Sequence, residues 1–230
     1  MASFPVNRRL QTDCCYVLQE VSQPNAQTRQ VSVPRRLVEL VKLALAQNSS
    51  DQEMQEAAVG AIHSFLQSRC NVRACCEERV RDVLVPIMYS NSACLSLTCD
   101  SDRQIALLGS AILVRLAAFD DDSNLAHMQM PITMHHGVVS LMVKILVKHA
   151  EHRPIVHQAL KTLSFFVVAN PHVLPGNAGL VGREHAGAKK GMHTIFCANH
   201  GVRVVTSALA LHRHDASCKR VALRILQACS

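Results

Sequence analysis

Apolar residues recur at intervals of three and four along most of the chain, the spacing that places side chains on one face of an α-helix. Runs of this kind predict helices at 9–21, 34–47, 51–68, 102–119 and 215–229. Strand signals are almost absent, because the chain has no Asn-Gly or Asp-Gly hairpin turn and no sustained alternation of apolar and polar residues. The pattern therefore predicts an all-α protein.

Residues that start helices stand in front of these runs. Ser50 followed by Glu53 has the spacing of a capping box, in which the serine oxygen accepts from a backbone amide and the glutamate reaches back. Ser32 with Pro34, and Asp215, are also typical of helix starts. We therefore expect defined N-termini for three of the predicted helices.

Pairs of helices repeat along the chain. His136 and Gly137 precede a helix whose apolar spacing returns 64 residues later behind His200 and Gly201. Each of these helices is followed by a second one that has a small residue and then apolar residues at matching intervals. Four copies carry the pattern, the second more loosely than the others: Leu37, Leu40, Val41, Ala44, Leu45 with Ala58, Val59, Ile62, Phe65; Val80, Val83, Leu84, Ile87, Met88 with Leu107, Leu108, Ala111, Val114; Val138, Leu141, Met142, Ile145, Leu146 with Ala159, Leu160, Leu163, Phe166; and Val202, Val205, Thr206, Leu209, Ala210 with Ala222, Leu223, Leu226, Cys229.

This pattern resembles the armadillo repeat: a glycine before a helix, a short polar link and a longer third helix with the form Ala-Leu-x-x-Leu. The first two copies begin 43 residues apart, and the family's period is about 40–47. The resemblance implies a right-handed α-solenoid of about four repeats over 34–230, with a short first helix near 192–199 in the last copy. Residues 1–33 would form an N-terminal helix and linker that cap the array, and 175–191 is a glycine-rich basic insertion.

Composition narrows the class of protein. Hydrophobic residues make up 49% of the chain and charged residues 18%, which excludes a disordered chain, while 3% aromatic residues indicate a small-residue, aliphatic core. The ten cysteines have no regular spacing, so reduced thiols in a core are favoured over a disulfide framework. No apolar stretch is long enough to span a membrane, and 1–13 lack a secretory signal. We expect a soluble, cytoplasmic protein.

Candidate chemistry is sparse. Six histidines and cysteines, the residue types that bind zinc, lie close in sequence near the C-terminus: His193, Cys197, His200, His212, His214 and Cys218. A zinc site is one interpretation of this cluster. The other interpretation is ordinary repeat-position side chains, because His200 matches His136 of the previous copy and no Cys-x-x-Cys pair exists. Since no nucleophile or metalloenzyme motif occurs either, the sequence predicts neither an enzyme, nor a metal, nor a cofactor.

The resemblance also directs attention to the third helices, which line the inner surface of an armadillo solenoid. Importers of nuclear cargo in this family present Trp and Asn ladders there. The matching positions are Gly60, Gly109, Lys161 and Arg224 for Trp, and Ser64, Leu113, Phe165 and Ala228 for Asn. Neither ladder is present, and two cations would repel a basic peptide. We therefore expect Lys161, Phe165 and Arg224 to bind an acidic or apolar protein segment; ordinary exposed helix residues are the alternative.

Charge and the last helix leave further functions open. Residues 151–230 carry 10 basic and 3 acidic residues. This excess favours, as an alternative function, binding of nucleic acid or an anionic membrane surface, and Arg183, Lys189 and Lys190 of the insertion are candidate anion contacts. The helix at 215–229 has apolar residues around most of its circumference, which indicates docking onto a partner, self-association, or a chain that is a piece of a longer repeat array. The main prediction is a non-catalytic protein–protein interaction module, a scaffold or adaptor, that uses its inner groove or this helix.

Overall fold

A computed structural model describes residues 7–23, 31–93, 99–122, 132–168 and 193–229. Within these ranges every regular element is a helix, so the all-α prediction is confirmed. The helices are α1 Arg8–Val21, α2 Arg35–Gln47, α3 Gln52–Phe65, α4 Arg69–Glu77, α5 Val80–Ala93, α6 Asp100–Asp122, α7 Ile132–Lys148, α8 Arg153–Val167, α9 193–198, α10 Gly201–Leu211 and α11 Ala216–Ala228. They form two compact units, Met1–Gln129 and Met130–Ser230.

The predicted starts of α2, α3 and α11 lie within one residue of the observed starts, although only one of the three capping residues was identified correctly. Asp215 is the N-cap of α11, and its carboxylate accepts from the backbone amides of the first turn. The predicted capping box at Ser50 is wrong, because Asp51 is the N-cap of α3 and accepts from the amide of Met54 at 3.1 Å. Pro34, and not Ser32, is the N-cap position of α2, where no side chain caps the helix.

Two predicted helices differ in length from the observed ones. The run 51–68 ends early, since α3 stops at Phe65 and a turn leads to α4. The run 102–119 is extended in both directions, because α6 begins at Asp100 and continues to Asp122. The three aspartates at 120–122 are therefore part of this helix.

Helix α3 lies at the centre of the first unit. It packs against α1, α6 and α2, and most of its side chains are buried, among them Met54, Ile62 and Phe65. Helix α4 contacts α2, α5 and α6, and α5 packs against α6. The core of this unit is aliphatic, as the low aromatic content predicts.

Two polar side chains join separate segments of this unit. Asn71 of α4 donates to the carbonyls of Val31 (2.7 Å) and Phe65 (3.0 Å) and accepts from the amide of Val33 (2.8 Å). Glu78, after α4, pairs with Arg35 and Lys42 of α2. These cations hold the pKa of the Glu78 carboxyl below its usual range, the hydrogen bond from Arg35 being the largest cause. Asn71 and Glu78 thus fix α4 against the segment that begins α2.

The second unit repeats a simple arrangement of two helix pairs. Helix α7 packs against α8, α10 packs against α11, and the pairs meet through α8 with α11 and α7 with α10. Ser140 of α7 is hydrogen-bonded to Asn199 after α9 (3.2 Å), and the His212 ring is 2.7 Å from the carbonyl of Ala150. The turn between α10 and α11 therefore contacts the turn between α7 and α8.

Burial supports the repeat pattern in the first and third copies but not in the second, nor in the fourth, where Ala222 is the one buried template position of α11. In the first and third copies, the template positions of α3 and α8 are all buried. In the second copy the assigned register on α6 is wrong, since Leu107, Leu108, Ala111 and Val114 are only half-buried. The buried residues of α6 lie elsewhere, because this helix packs against three neighbours at once: Ile105, Ala106, Ile112, Leu113, Leu116 and Ala117.

The glycines in the third helices meet different neighbours. A β-carbon at Gly60 would collide with the side chain of Gln19 on α1, whereas one at Gly109 would collide with Met88 on α5. Close approach explains both glycines, but their sequence match does not place them in equivalent environments.

The described cysteines are free thiols. Cys15, Cys75, Cys76 and Cys218 are buried, in keeping with the predicted core role, and burial raises the pKa of Cys15 to about 12. Cys197 is exposed, contrary to that prediction, because it lies on the outer side of the short α9. No described helix is both long and apolar enough to cross a membrane.

Candidate binding surface on the second unit

Helix α8 carries two of the three residues predicted to contact a partner. Its N-cap position is His152, and Pro154 follows within the first turn, where a missing amide proton costs nothing. One face is fully buried and includes Ile155, Leu160 and Leu163. The opposite face presents Lys161, which is exposed, and Phe165, one turn later, which is half-buried and in edge contact with the Phe166 ring at 5.5 Å between centroids.

Helix α11 carries the third residue, Arg224, which is exposed. The prediction that apolar residues surround this helix without a polar face is wrong. Only Cys218, Ala222 and Ile225 are buried, because α11 packs on α8 and α10 along one side. The other side is largely polar and exposes Lys219, Arg220, Leu223, Arg224 and Gln227.

Helices α8 and α11 pack against each other, so the two sets of exposed residues lie on neighbouring helices. An ion pair between Arg153 and Asp215 fastens their N-terminal ends. The Asp215 carboxylate also accepts from the amides of Ser217 (2.8 Å) and Cys218 (3.2 Å). Arg153 and these amides hold the pKa of Asp215 well below its usual range, so this carboxylate is committed to holding the helix start.

The electrostatics of the surface are dominated by cations. Residues 193–229 contain five Lys or Arg and a single acid, Asp215. Lys161 and Arg224 form no ion pair with any other residue that the structure describes. Their charges are therefore available to an anionic group from outside.

Sequence reasoning missed His157, which lies one turn before Lys161 on α8 and is half-buried. Burial lowers the pKa of the His157 imidazole, and the neighbouring Lys161 cation lowers it further. The interval of four residues between His157 and Lys161 was the available signal, since residues at that interval are neighbours on a helix. His157 is therefore a neutral neighbour of the cations near pH 7.

The first unit does not continue this surface. Ser64 and Leu113, the positions that match Phe165, have only 4% and 2% of their surface exposed. Gly60 and Gly109, which match Lys161, are buried as well. The candidate surface is therefore restricted to the second unit.

The structure separates most of the candidate zinc ligands. His193 and Cys197 are neighbours on α9, with 3.9 Å between Nε2 and Sγ, but His212 faces the carbonyl of Ala150 and Cys218 is buried on the packed side of α11. In the described ranges no three His, Cys, Asp or Glu side chains come together as a group that could hold a metal ion.

The candidate anion contacts Arg183, Lys189 and Lys190, together with the whole 175–191 insertion, lie outside the described residues.

Comparison with models of known protein families gives no match, and neither do comparisons with curated proteins or with solved structures. The geometry of α8 and α11 is therefore the basis of the function proposed below.

Proposed function

We propose that the chain is a non-catalytic interaction module, built of armadillo-like repeats, that binds an acidic segment of a partner protein on the surface formed by Lys161, Phe165 and Arg224. The observation that carries the proposal is a pair of exposed cations on two helices packed together, neither of them in an ion pair with a described residue, with a half-buried aromatic ring beside one of them.

The repeat assignment is supported within each unit by which helices touch. In the first unit α1 packs on α3, α3 packs on α6, and α2 contacts α5. Along the chain, the short α4 lies between the pair α2 and α3 and the pair α5 and α6. In the second unit α8 packs on α11, α7 packs on α10, and the short α9 precedes the last pair. Third helices stacked on third helices, and second on second, are what a solenoid of three-helix repeats requires.

The chemistry of the partner follows from the surface. Carboxylates would pair with Lys161 and Arg224, and an apolar side chain between them would cover Phe165. Arg is well suited to bidentate recognition of a carboxylate, whereas Lys acts as a point charge. An extended or helical segment with two acids flanking a Leu, Met or Phe is the expected ligand, and salt should weaken its binding.

Selection from a random peptide library displayed on phage tests the proposal. Acidic sequences that contain an apolar residue should be enriched on the wild-type protein. Synthetic versions should bind at least tenfold more weakly, by fluorescence anisotropy, to the Lys161→Glu, Arg224→Glu variant. The matched control is Arg203→Glu, Arg213→Glu, which makes the same charge change at exposed positions of the same unit. Equal binding by both variants would remove this surface as the site.

A second candidate function is binding of nucleic acid or an anionic membrane surface, which the basic excess of the last third supports. Such binding would lose affinity steeply with salt, and both charge-reversal variants would weaken it to a similar extent. A 30-nucleotide single strand and vesicles containing phosphatidylserine, titrated at 50 and 200 mM salt, distinguish this function from a peptide site that only one variant abolishes. The low aromatic content gives few stacking platforms for bases, so the peptide site is favoured.

A further inference from the structure

Helix α1 buries polar side chains and exposes apolar ones, the reverse of the usual arrangement. The side that packs on α3 carries Gln11, Thr12 and Cys15, which are buried. Thr12 is hydrogen-bonded to the carbonyl of Arg8 and contacts the sulfur of Met54, and Gln11 accepts from the buried amide of Asn48 at 3.1 Å. Polar groups of α1 are thus satisfied inside the unit.

The apolar side of α1 is turned away from that core. Leu10, Cys14, Val17 and Val21 recur at intervals of four, three and four, which places them along one face. Val17 and Val21 have 60% and 66% of their surface exposed, while Leu10 and Cys14 are half-buried. The stripe is therefore only partly covered within its own unit.

Two carboxylates border the stripe. Asp13 and Glu20 are both exposed and lie three residues after Leu10 and Val17 respectively, so they follow the same edge. The surface that would cover this stripe must therefore be apolar in the middle and basic at its side.

Helix α11 has a surface of that kind. Leu223 is 39% exposed and Leu226 is half-buried, while Lys219 and Arg220 lie one turn before Leu223 and are exposed. The helix itself contains no acidic residue, and the acid at its start, Asp215, is engaged by Arg153. Helices α1 and α11 each already pack along one side on another helix of their own unit, α3 and α8.

We infer that the chain associates with copies of itself through α1 of one copy and α11 of another. Val17 and Val21 pack against Leu223 and Leu226, and the acidic edge of α1 faces the basic side of α11 that carries Lys219 and Arg220. The contact continues the helix-on-helix stacking seen within each unit. It joins two different surfaces, so every copy offers both halves of the contact.

Charge reversal on each surface separately tests the interface. By sedimentation velocity at 50 mM salt, the wild-type protein should show a sedimentation coefficient that rises over about 5–200 µM. Asp13→Lys, Glu20→Lys and, independently, Lys219→Glu, Arg220→Glu should shift this rise to at least tenfold higher concentration. The control Asp100→Lys, Glu151→Lys changes two exposed acids outside both surfaces and should behave as wild type.

Mixing the two interface variants is the decisive measurement. Each variant then offers the other a complementary surface at both contacts, so the mixture should recover wild-type association although neither variant associates alone. A monomeric wild-type protein, an α1 variant that associates normally, or a mixture that does not recover would each overturn the inference. Circular dichroism of all variants shows whether they remain folded.

These variants leave Lys161, Phe165 and Arg224 unchanged, so failure of self-association would not affect the proposed peptide site.

Discussion

Gly60 and Gly201 both lie where a β-carbon would collide with a neighbour, but the neighbours differ in their freedom to move. At Gly60 the obstacle is the terminal amide of Gln19, a flexible and only partly buried side chain. At Gly201 it is the ring of Phe196, which is fully buried beneath the start of α10. A β-carbon is therefore excluded at Gly201, whereas Gln19 can move to make room for one at Gly60.

Alanine substitution separates the two cases. Gly201→Ala should destabilise the protein by about 1–3 kcal/mol, because the Phe196 ring must shift within a packed core. Gly60→Ala should be close to neutral, since Gln19 can turn away and alanine gains about 1 kcal/mol over glycine inside a helix. Thermal unfolding followed by circular dichroism measures both. A larger loss in Gly60→Ala than in Gly201→Ala would contradict the argument.

His63 couples stability to pH. It is half-buried on α3, and burial, then the Arg115 cation, lower the pKa of its imidazole. The unfolded chain therefore binds a proton at higher pH than the folded chain, so stability should fall as pH drops below about 6.5. His63→Gln should narrow the difference in melting temperature between pH 7.5 and 5.5.

The same measurement on His214→Gln provides the control, because His214 is exposed. His157, whose pKa is lowered in the same direction, accounts for part of the pH dependence that remains in His63→Gln. If the difference in melting temperature between pH 7.5 and 5.5 were unchanged in His63→Gln, His63 would not contribute to the pH dependence of stability.

At the scale of elements, Asn71 decides how the segment before α2 joins α4. Asn71→Ala removes the partners of three backbone groups, those of Val31, Val33 and Phe65, and an unsatisfied buried group costs about 1–3 kcal/mol. We expect a loss of at least about 2 kcal/mol in urea unfolding. Asn71→Asp should be no better, because its carboxylate would face two carbonyl oxygens.

The matched control is Asn91→Ala. Asn91 is only half-buried, and its amide donates to the Gln55 side chain at 2.8 Å. A loss of about 1 kcal/mol is expected there, because the hydrogen bond to Gln55 is lost instead of the three that Asn71 makes. Equal losses in Asn71→Ala and Asn91→Ala would mean that Asn71 is not the main connection.

Several helices were predictable from sequence, because apolar spacing of three and four indicates a helix whichever of its sides is buried. The run 9–21 corresponds to α1 and 215–229 to α11, each within one residue at both ends. Periodicity was a poor guide to α6, because a helix with neighbours on three sides has no single apolar face, and the register chosen there was wrong. The early end of α3 was also missed, since Leu66 is buried and continues the apolar spacing past the turn.

The sequence predicted which residues could form the candidate surface, but not that the surface is restricted to the second unit. The apolar pattern within each repeat aligns the third helices in sequence. This alignment predicted Lys161, Phe165 and Arg224. Burial of Ser64 and Leu113 depends on which helices cover them, a property of tertiary packing that spacing along the chain does not contain. The reversed polarity of α1 is a further example, because its stripe of Leu10 and Val17 looks from sequence like a buried face.

For the whole molecule, the two compact units make separate unfolding transitions measurable. Each unit has its own buried core, and both tyrosines of the chain, Tyr16 and Tyr89, lie in the first unit, while the chain has no Trp. Tyrosine fluorescence therefore reports the first unit alone, whereas circular dichroism at 222 nm reports the helices of both.

Destabilising one unit at a time should move these signals independently. Asn71→Ala should lower the midpoint of the fluorescence transition, whereas Gly201→Ala should broaden or shift the helical transition and leave the fluorescence midpoint unchanged, because a domain with its own core unfolds as a unit. Parallel scans of both signals against urea make the comparison. If fluorescence and circular dichroism moved together in both variants, the two cores would have to unfold as one cooperative body.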